Sequence, residues 1–371
     1  MGRRFNTLKN SHYDVIMQAV TILLVMIGLV MVFSTSAIMA YEKYNNMYYF
    51  FFRQLFWVII GGISFTAGLK IDYKIWAKIS RIAIFLILLM LILVLFPSIG
   101  HQVRGSRRWL RIGGFGFQPA ELAKVVVVIY MASVMDRKYT KIQNSYKNIM
   151  PPIGIVILIG GLIYSQPDFG SAFLIFILVS TILFFGGIKI KYMAGVALGA
   201  LPFIIYALMA YDYRRHRLFS FLRPFENLYG SGYQLANSLL ALGDGGLTGV
   251  GLGNGYQKLF YIPEVHTDFV YSIIGQELGL VGTLFILILF GIFAWRGGAI
   301  ALKNDDYLGK LMVGGLTILI VLQAIINIGV VTGCLPTKGL SLPFVSFGGS
   351  SLVFNMLAVG IILNISKSTN Y

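Results

Sequence analysis

Charged residues are scarce in this chain. Asp, Glu, Lys and Arg make up only 12% of its 371 residues, whereas a soluble domain contains about 25%. Crossing about 30 Å of hydrocarbon takes about 20 apolar residues, and this chain contains several uncharged runs of that length. This pattern excludes a soluble fold and predicts an integral membrane protein. The runs are Val15–Tyr41, Ile82–Val103, Asn148–Pro167, Phe169–Ile188, Tyr192–Tyr211, Leu311–Thr337 and Gly339–Ser366.

Cysteine and acidic residues are also few. The single cysteine, Cys334, excludes an internal disulfide framework and a multi-cysteine metal site, and its place at the end of an apolar run favours a packing role. The formal net charge is +16. We attribute this charge largely to membrane topology and to attraction for anionic lipid headgroups, and not to a nucleic-acid partner.

Three further apolar segments carry embedded charges and complete the predicted architecture. The fold class is all-α: a polytopic membrane bundle of about ten transmembrane helices, in a single domain covering residues 1–371, with one large loop at about 212–268. The first run is far longer than the roughly 7–15 apolar residues of a signal peptide, so it predicts an uncleaved helix. The charged segments are Tyr48–Leu69 with Arg53, Gln118–Met135 with Glu121 and Lys124, and Phe269–Trp295 with Glu277.

Lysine and arginine indicate the orientation of the bundle. An even number of helices places both termini on one side, and most of the basic residues sort to that side. Because short cytoplasmic loops are enriched in Lys and Arg, we expect both termini in the cytoplasm and the 212–268 loop outside. Four arginines break the pattern on the outer side, namely Arg104, Arg107, Arg108 and Arg111.

These outer arginines surround Trp109. A guanidinium group binds phosphate oxygens in a bidentate manner, and tryptophan suits a membrane interface or the face of a sugar. Anchoring to lipid headgroups is the alternative interpretation. The outer position argues against it, because anchoring arginines concentrate on the cytoplasmic side.

A second polar group lies at the start of the predicted helix Gln118–Met135. Glu121 and Lys124 are three residues apart and share a helix face. Ionisable groups in a membrane helix are costly unless they pair or face a polar cavity. Two interpretations therefore stay open here, a structural ion pair and the lining of a polar cavity beneath the arginines.

Two further segments flank the outer ends of predicted helices. His266, Thr267 and Asp268 lie where the long loop re-enters the membrane. Asp268 would either cap the next helix or act as a partly desolvated general base, and one histidine without a second ligand makes zinc improbable. Asp168 follows Pro167 at a tight turn, where we expect it to cap the next helix. The residues from Gly243 to Gly255 predict a turn-rich surface loop.

The last polar segment runs from Leu335 to Ser351. Lys338 is the lone charge in a long apolar stretch, and hydroxyls including that of Ser350 enter the final helix. Close packing of small residues in lipid is the alternative interpretation. Taken together, the motifs place arginines, a lysine, a carboxylate and small polar residues on one membrane face. That arrangement predicts an outward-facing polar cavity for an anionic lipid substrate.

Four stretches resemble the SEDS family of bacterial shape, elongation, division and sporulation proteins. The resemblance covers nearly the whole chain. The residues Leu252–Asn254 and Pro336–Gly339 make this chain more similar to the division and sporulation proteins of the family than to its elongation protein. The stretches are RWLRIGGFGFQPAELAK, QPDFGSAF, GDGGLTGVGLGNGYQKLFYIPEVHTDFVYSIIGQELGLVG and LPTKGLSLPFVSFGGSS.

The resemblance implies a glycosyltransferase that polymerises lipid II, a disaccharide-pentapeptide on undecaprenyl diphosphate, outside the cytoplasmic membrane. The catalytic Asp of the family's His-Thr-Asp-Phe motif falls on Asp268. The resemblance also implies substrate-binding roles for the family's motif residues, which fall on Arg108, Trp109, Glu121 and Lys124. The remaining members of the expected substrate-binding set are Gln118, His266, Thr267, Lys338 and Ser350.

The resemblance also implies partners and leaves two other functions open. A divalent cation, Mg²⁺ or Mn²⁺, could assist at the diphosphate, although no motif fixes a metal site. The implied partners are the nascent glycan strand, a class B penicillin-binding protein and membrane proteins of the divisome or elongasome. A partner helix would dock on four small residues, or these residues pack inside the bundle instead. They are Gly279, Gly282, Gly314 and Gly315. The alternative functions of the protein are a lipid II flippase and a non-catalytic scaffold.

Overall fold

The computed structural model describes most of the chain. Lys338, Arg104, most of the predicted helix Tyr192–Tyr211 and parts of the 212–268 loop lie outside the described residues. The described residues are 13–103, 106–112, 115–144, 146–195, 198–199, 209, 220–227, 232–258, 266–337 and 339–368.

Helices dominate the described part of the chain. Seven of its helical segments are long and apolar enough to cross a membrane, and the predicted helical membrane bundle is confirmed. The helices are α1 Val15–Tyr44, α2 Tyr49–Lys70, α3 Tyr73–Leu95, α4 Pro119–Arg137, α5 Tyr139–Asn144, α6 Met150–Ser165, α7 Phe169–Phe185, α8 Tyr233–Asp244, α9 Val270–Lys303, α10 Tyr307–Val331 and α11 Gly349–Ser366.

The shortest predicted spans also form helices. α6 and α7 are separate helices joined at Gln166, Pro167 and Asp168, as predicted. α4 carries charges at both ends, yet its side chains are buried along nearly its whole length. This burial follows from its central position, where α3, α7, α10 and α11 all pack against it. A central helix contacts little lipid, so charged side chains are tolerated when they pair inside the bundle.

A small antiparallel sheet caps one end of the bundle between α3 and α4. Its strands β1 Gly100–Val103, β2 Ser106–Ile112 and β3 Phe115–Phe117 pair in the order β1-β2-β3. Gly100 pairs with Leu110, which in turn pairs with Phe117 on the other side. Arg107, Arg108 and Arg111 lie on β2, which is the middle strand and contacts α3 and α4.

Contacts between helix termini define the two ends of the bundle. At the sheet end, the Gln118 N–H donates to Ser350 Oγ, and the Phe347 N–H donates to His266 O. At the opposite end, Arg296 pairs with Asp14, which lies at the start of α1. The predicted site motifs that the structure describes all lie at or near the sheet end.

The glycines proposed for partner docking lie mostly within the bundle. A Cβ on Gly279 would come within 2.4 Å of Gly249 N, and one on Gly315 would come within 2.6 Å of Val128 Cγ1. The docking prediction is therefore wrong for these two positions, and the alternative of internal packing holds. Both glycines permit close approach between segments of this chain, and neither offers a lipid-exposed surface to a partner helix.

Candidate active site

Asp268 lies at the sheet end, two residues before α9 begins. Its side chain is partly exposed, and Gly339 is so close that a Cβ there would be 2.8 Å from Asp268 Oδ2. The N-cap residue of α9 is Phe269. The carboxylate therefore lies beside the segment that follows Lys338 rather than at the N-cap position.

Asn327 of α10 binds the backbone of Asp268 and the backbone of the segment beside it. Its Nδ2 donates to Asp268 O at 2.8 Å and to Leu340 O at 2.6 Å. The side chain is buried, so both hydrogen bonds form away from water, where an unpaired carbonyl is costly. One amide group therefore holds the Asp268 segment against the 339–341 segment.

Gln323 lies one helical turn before Asn327 on the same face of α10. Its Nε2 donates to Ser341 O at 3.2 Å and lies 3.5 Å from Ser351 Oγ. Its Oε1 accepts a hydrogen bond from Lys124 Nζ at 3.4 Å. Gln323 thus connects the 339–341 segment to the charged side chains of α4.

The charged side chains of α4 form a buried ion pair. Lys124 Nζ lies 2.7 Å from Glu121 Oε1, and the exposed fractions of the two residues are 1% and 8%. Of the two interpretations that their spacing left open, the structure shows the ion pair. Gln323 is the third member of this network, which joins α4 to α10 and contacts the backbone of Ser341.

Ser350 joins the sheet to the first turn of α11. Its Oγ accepts the Gln118 N–H at 3.1 Å and donates to Gly116 O at 3.5 Å. These contacts place Gln118 and Ser350 side by side at the sheet end. Ser350 is buried, and its hydroxyl holds the start of α4 against α11.

Arg108 extends from β2 to the turn between α6 and α7. Its Nε donates to Gln166 O at 3.0 Å, its Nη2 donates to Pro167 O, and its Nη1 lies 3.9 Å from Asp168 Oδ2. Asp168 accepts the Ser171 N–H and caps α7, as predicted. The Arg108 side chain remains 27% exposed, so part of the guanidinium faces solvent. Trp109 packs against Gly116 in the neighbouring strand.

His266 is part of an aromatic cluster. Its ring centroid lies 4.9 Å from that of Phe50 and 5.6 Å from that of Phe347. Thr267 lies between this buried residue and Asp268 and is partly buried. Among the described residues, no group of three or more His, Cys, Asp or Glu side chains is arranged to hold a metal ion.

The sequence of the chain matches one protein family over nearly its full length. A model of the family described as cell cycle protein, which covers FtsW, RodA and SpoVE, matches residues 14–371. The chain belongs to the FtsW, RodA and SpoVE family.

Relatives in this family align over almost their whole length. A protein named probable peptidoglycan glycosyltransferase FtsW, from Geobacter metallireducens, is 39% identical over 363 residues, which cover 98% of this chain and 97% of that protein. Stage V sporulation protein E of Bacillus subtilis is 38% identical over 365 residues, which cover 98% of this chain and 100% of that protein. The predicted similarity to the division and sporulation branches is confirmed.

Solved structures of the FtsW, RodA and SpoVE family share the fold. Rod shape determining protein RodA of Thermus thermophilus superposes with a TM-score of 0.69 at 24% identity, over 97% of this chain and 98% of that chain. A structure described as "Structural coordination of polymerization and crosslinking by a peptidoglycan synthase complex" contains a chain with a TM-score of 0.77 at 24% identity, over 96% of this chain and 98% of that chain. The described helices therefore have the architecture of this family.

Sequence reasoning missed two uncharged members of the site. Gln323 and Asn327 hold the segments around Asp268, but neither carries a charge that marks it in an apolar run. Their spacing of four residues within the uncharged run Leu311–Thr337 is the signal that could have found them. The buried pair of Lys258 and Glu277 was missed as well, because its partners are far apart in sequence.

Proposed function

We propose that this protein is a peptidoglycan glycosyltransferase that polymerises lipid II for cell division or cell-wall morphogenesis. The observation that carries the proposal is the position of Asp268. Its partly exposed carboxylate lies beside Gly339 at the end of the bundle, on a backbone that Asn327 holds in place. Relatives that align from end to end carry the name peptidoglycan glycosyltransferase.

The orientation supports this proposal. Lys and Arg are concentrated at the end opposite to the sheet, which indicates that this opposite end and both termini are cytoplasmic. The sheet end then faces outward. A glycosyltransferase at that surface acts where glycan strands are assembled. The basic residues of the opposite end include Lys70, Arg137, Lys147, Lys303 and Lys367.

The proposed reaction is a single displacement at the sugar of a lipid diphosphate. The hydroxyl oxygen of one sugar forms a bond to the anomeric carbon of the other, while the bond from that carbon to the diphosphate oxygen breaks. Asp268 accepts the hydroxyl proton, and the lipid diphosphate leaves with the bonding electrons. A positioned base of this kind contributes about 10²–10⁴-fold in rate. The displacement inverts the anomeric centre.

Negative charge gathers on the leaving diphosphate, so fixed positive charge at that point stabilises the transition state. Arg108 is suited to this role through the exposed part of its guanidinium. Lys124 is enclosed by Glu121 and Gln323, so we expect it to act from within this network. Lys338 precedes Gly339, the residue that abuts Asp268.

A divalent cation and a protein partner remain parts of this proposal. Mg²⁺ is usually held by one or two carboxylates together with substrate phosphates, and Asp268 offers such a carboxylate. Bound there, Mg²⁺ or Mn²⁺ would supply further charge for the diphosphate. A class B penicillin-binding protein is the proposed partner, together with other membrane proteins of the divisome or elongasome, since glycan strands also need crosslinking.

Reconstitution with lipid II tests the function. We expect the protein and its penicillin-binding partner, in vesicles, to form glycan strands on gel electrophoresis. Asp268→Asn should abolish strand formation at normal protein levels, because an amide keeps the shape but accepts no proton. Asp305→Asn, the same change at an exposed site of the opposite end, should have no effect.

The alternative functions give different results in this experiment. Movement of lipid II across the bilayer without strands would mean a flippase. If neither strands nor movement were observed, the protein would be a scaffold. Substantial polymerisation by Asp268→Asn would remove this residue from the catalytic role.

A further inference from the structure

α9, one of the helices long and apolar enough to cross a membrane, is broken at Gly279. This residue has φ 68° and ψ −163°, which separates the segment Val270–Leu278 from the rest of the helix. Backbone groups freed at such a break need partners within the protein, since lipid offers none. The break lies eleven residues after Asp268, about three helical turns, and the short helical segment begins two residues after the proposed catalytic residue.

The glycine-rich segment Gly243–Gly255 supplies these partners. It lies against the break, where a Cβ on Gly249 would be 2.2 Å from Glu277 O. Glycine at this point lets the two backbones approach within hydrogen-bonding distance. Four backbone hydrogen bonds join the segment to α9: Val250 N–H to Gln276 O at 3.0 Å, Gly251 N–H to Glu277 O at 3.0 Å, Leu280 N–H to Gly246 O at 3.0 Å and Val281 N–H to Leu247 O at 3.2 Å.

A buried ion pair connects α9 to Lys258, which lies three residues after the glycine-rich segment. Lys258 Nζ lies 2.6 Å from Glu277 Oε1, and the exposed fractions of the two side chains are 4% and 0%. Ser34 of α1 contacts both carboxylate oxygens, at 2.8 and 2.7 Å. Lys258 Nζ also lies 2.8 Å from Gly253 O and 3.1 Å from Ser34 Oγ. Every charge in this cluster therefore has hydrogen-bonding partners, as a buried pair requires.

We infer that Lys258, Glu277 and Ser34 are positioning residues for Asp268. Lys258 precedes, and Glu277 follows, the residues from His266 to Asp268 in the sequence. The contact between Lys258 and Glu277 therefore holds the chain together on both sides of Asp268, and Ser34 ties this contact to α1. In this inference the contact sets the distance between Asp268 and a bound sugar. The inference rests on the proposed role of Asp268 as the base.

The test separates positioning from folding by measuring turnover of the folded protein. The double variant Lys258→Met/Glu277→Gln removes both charges and leaves none unpaired. We expect its kcat for lipid II polymerisation to fall by about 10- to 100-fold, because a displacement of about 1 Å costs that much. KM should stay near the wild-type value, since the substrate contacts are unchanged. Lys258→Arg, which keeps the charge and its donors, should retain most of the turnover.

A second ion pair, this one between α1 and α9, provides the matched control. Arg296 of α9 pairs with Asp14 at the start of α1, with 2.6 Å between Nη2 and Oδ2, at the opposite end. The double variant Asp14→Asn/Arg296→Met should lose stability but keep its kcat per folded molecule. If the Lys258→Met/Glu277→Gln protein fails to fold, Ser34→Ala is the milder variant, with a smaller fall in kcat.

The outcomes are distinct. Wild-type kcat in the folded Lys258→Met/Glu277→Gln or Ser34→Ala protein would overturn the inference, and so would an equal loss in the Asp14→Asn/Arg296→Met control. Absence of glycan strands from the wild-type protein with its partner would instead overturn the proposed function. A loss confined to the Lys258, Glu277 and Ser34 variants supports the positioning role.

Discussion

At the residue scale, the site depends on neutral side chains as much as on charged ones. Gln323 and Asn327 each bind a backbone carbonyl of the 339–341 segment, which lies outside regular secondary structure. Such carbonyls have no helical partner, and inside a membrane protein they need a donor from a side chain. An amide supplies that donor without the desolvation cost of a full charge. Its role is visible only once the segments are folded together.

Asn327→Asp tests this role directly. The substitution keeps the size of the side chain but replaces the Nδ2 donor with an acceptor, which faces Asp268 O and Leu340 O. We expect strand formation to fall about 100-fold, because the Asp268 backbone loses its anchor. The measurement is kcat in reconstituted vesicles. Asn364→Asp is the control, since Asn364 donates to Leu69 O at the opposite end. Similar losses of turnover in both variants would exclude a specific role for Asn327.

At the element scale, the helices were predictable and their irregularities were not. Apolar runs identified the membrane helices, and the spacing of Glu121 and Lys124 placed both on one face of α4, where the structure pairs them. The pattern predicts a helix over Phe269–Trp295, whereas the structure breaks this helix at Gly279. The break depends on hydrogen bonds from the glycine-rich segment, which sequence reasoning assigned to a surface loop. The β2 strand was not predicted either. Its partner β1 lies at the end of the uncharged run Ile82–Val103, and its partner β3 has only three residues.

The Glu121 and Lys124 pair allows a test of α4. Removing one partner of a buried ion pair typically costs about 3–5 kcal/mol, because the other charge is left unpaired. Glu121→Gln and Lys124→Met should therefore each lower the thermal stability of the protein in detergent. The double variant should recover part of that stability but remain inactive if Lys124 serves the diphosphate. Recovery of polymerase activity in the double variant would limit the pair to a structural role.

At the scale of the whole molecule, the two ends of the bundle differ in function and in charge. The sheet end carries Asp268, the sheet and the α6–α7 turn that Arg108 holds. The opposite end carries most of the lysines and the Asp14–Arg296 pair. Because the predicted helix Tyr192–Tyr211 lies largely outside the described residues, orientation rests on the distribution of charge. An independent measurement of sidedness therefore tests the placement of the site outside the cell.

The single cysteine provides that measurement without any insertion. Cys334 follows α10 at the sheet end and is exposed. In intact cells, a membrane-impermeant maleimide should label Cys334 from outside, because the sheet end faces outward in the proposed orientation. Lys147 is an exposed residue of the opposite end, so Lys147→Cys in a Cys334→Ser background should react only after the membrane is opened. Labelling of Cys334 only in opened membranes would reverse the bundle. Asp268 would then face the cytoplasm, which is incompatible with strand assembly outside the membrane.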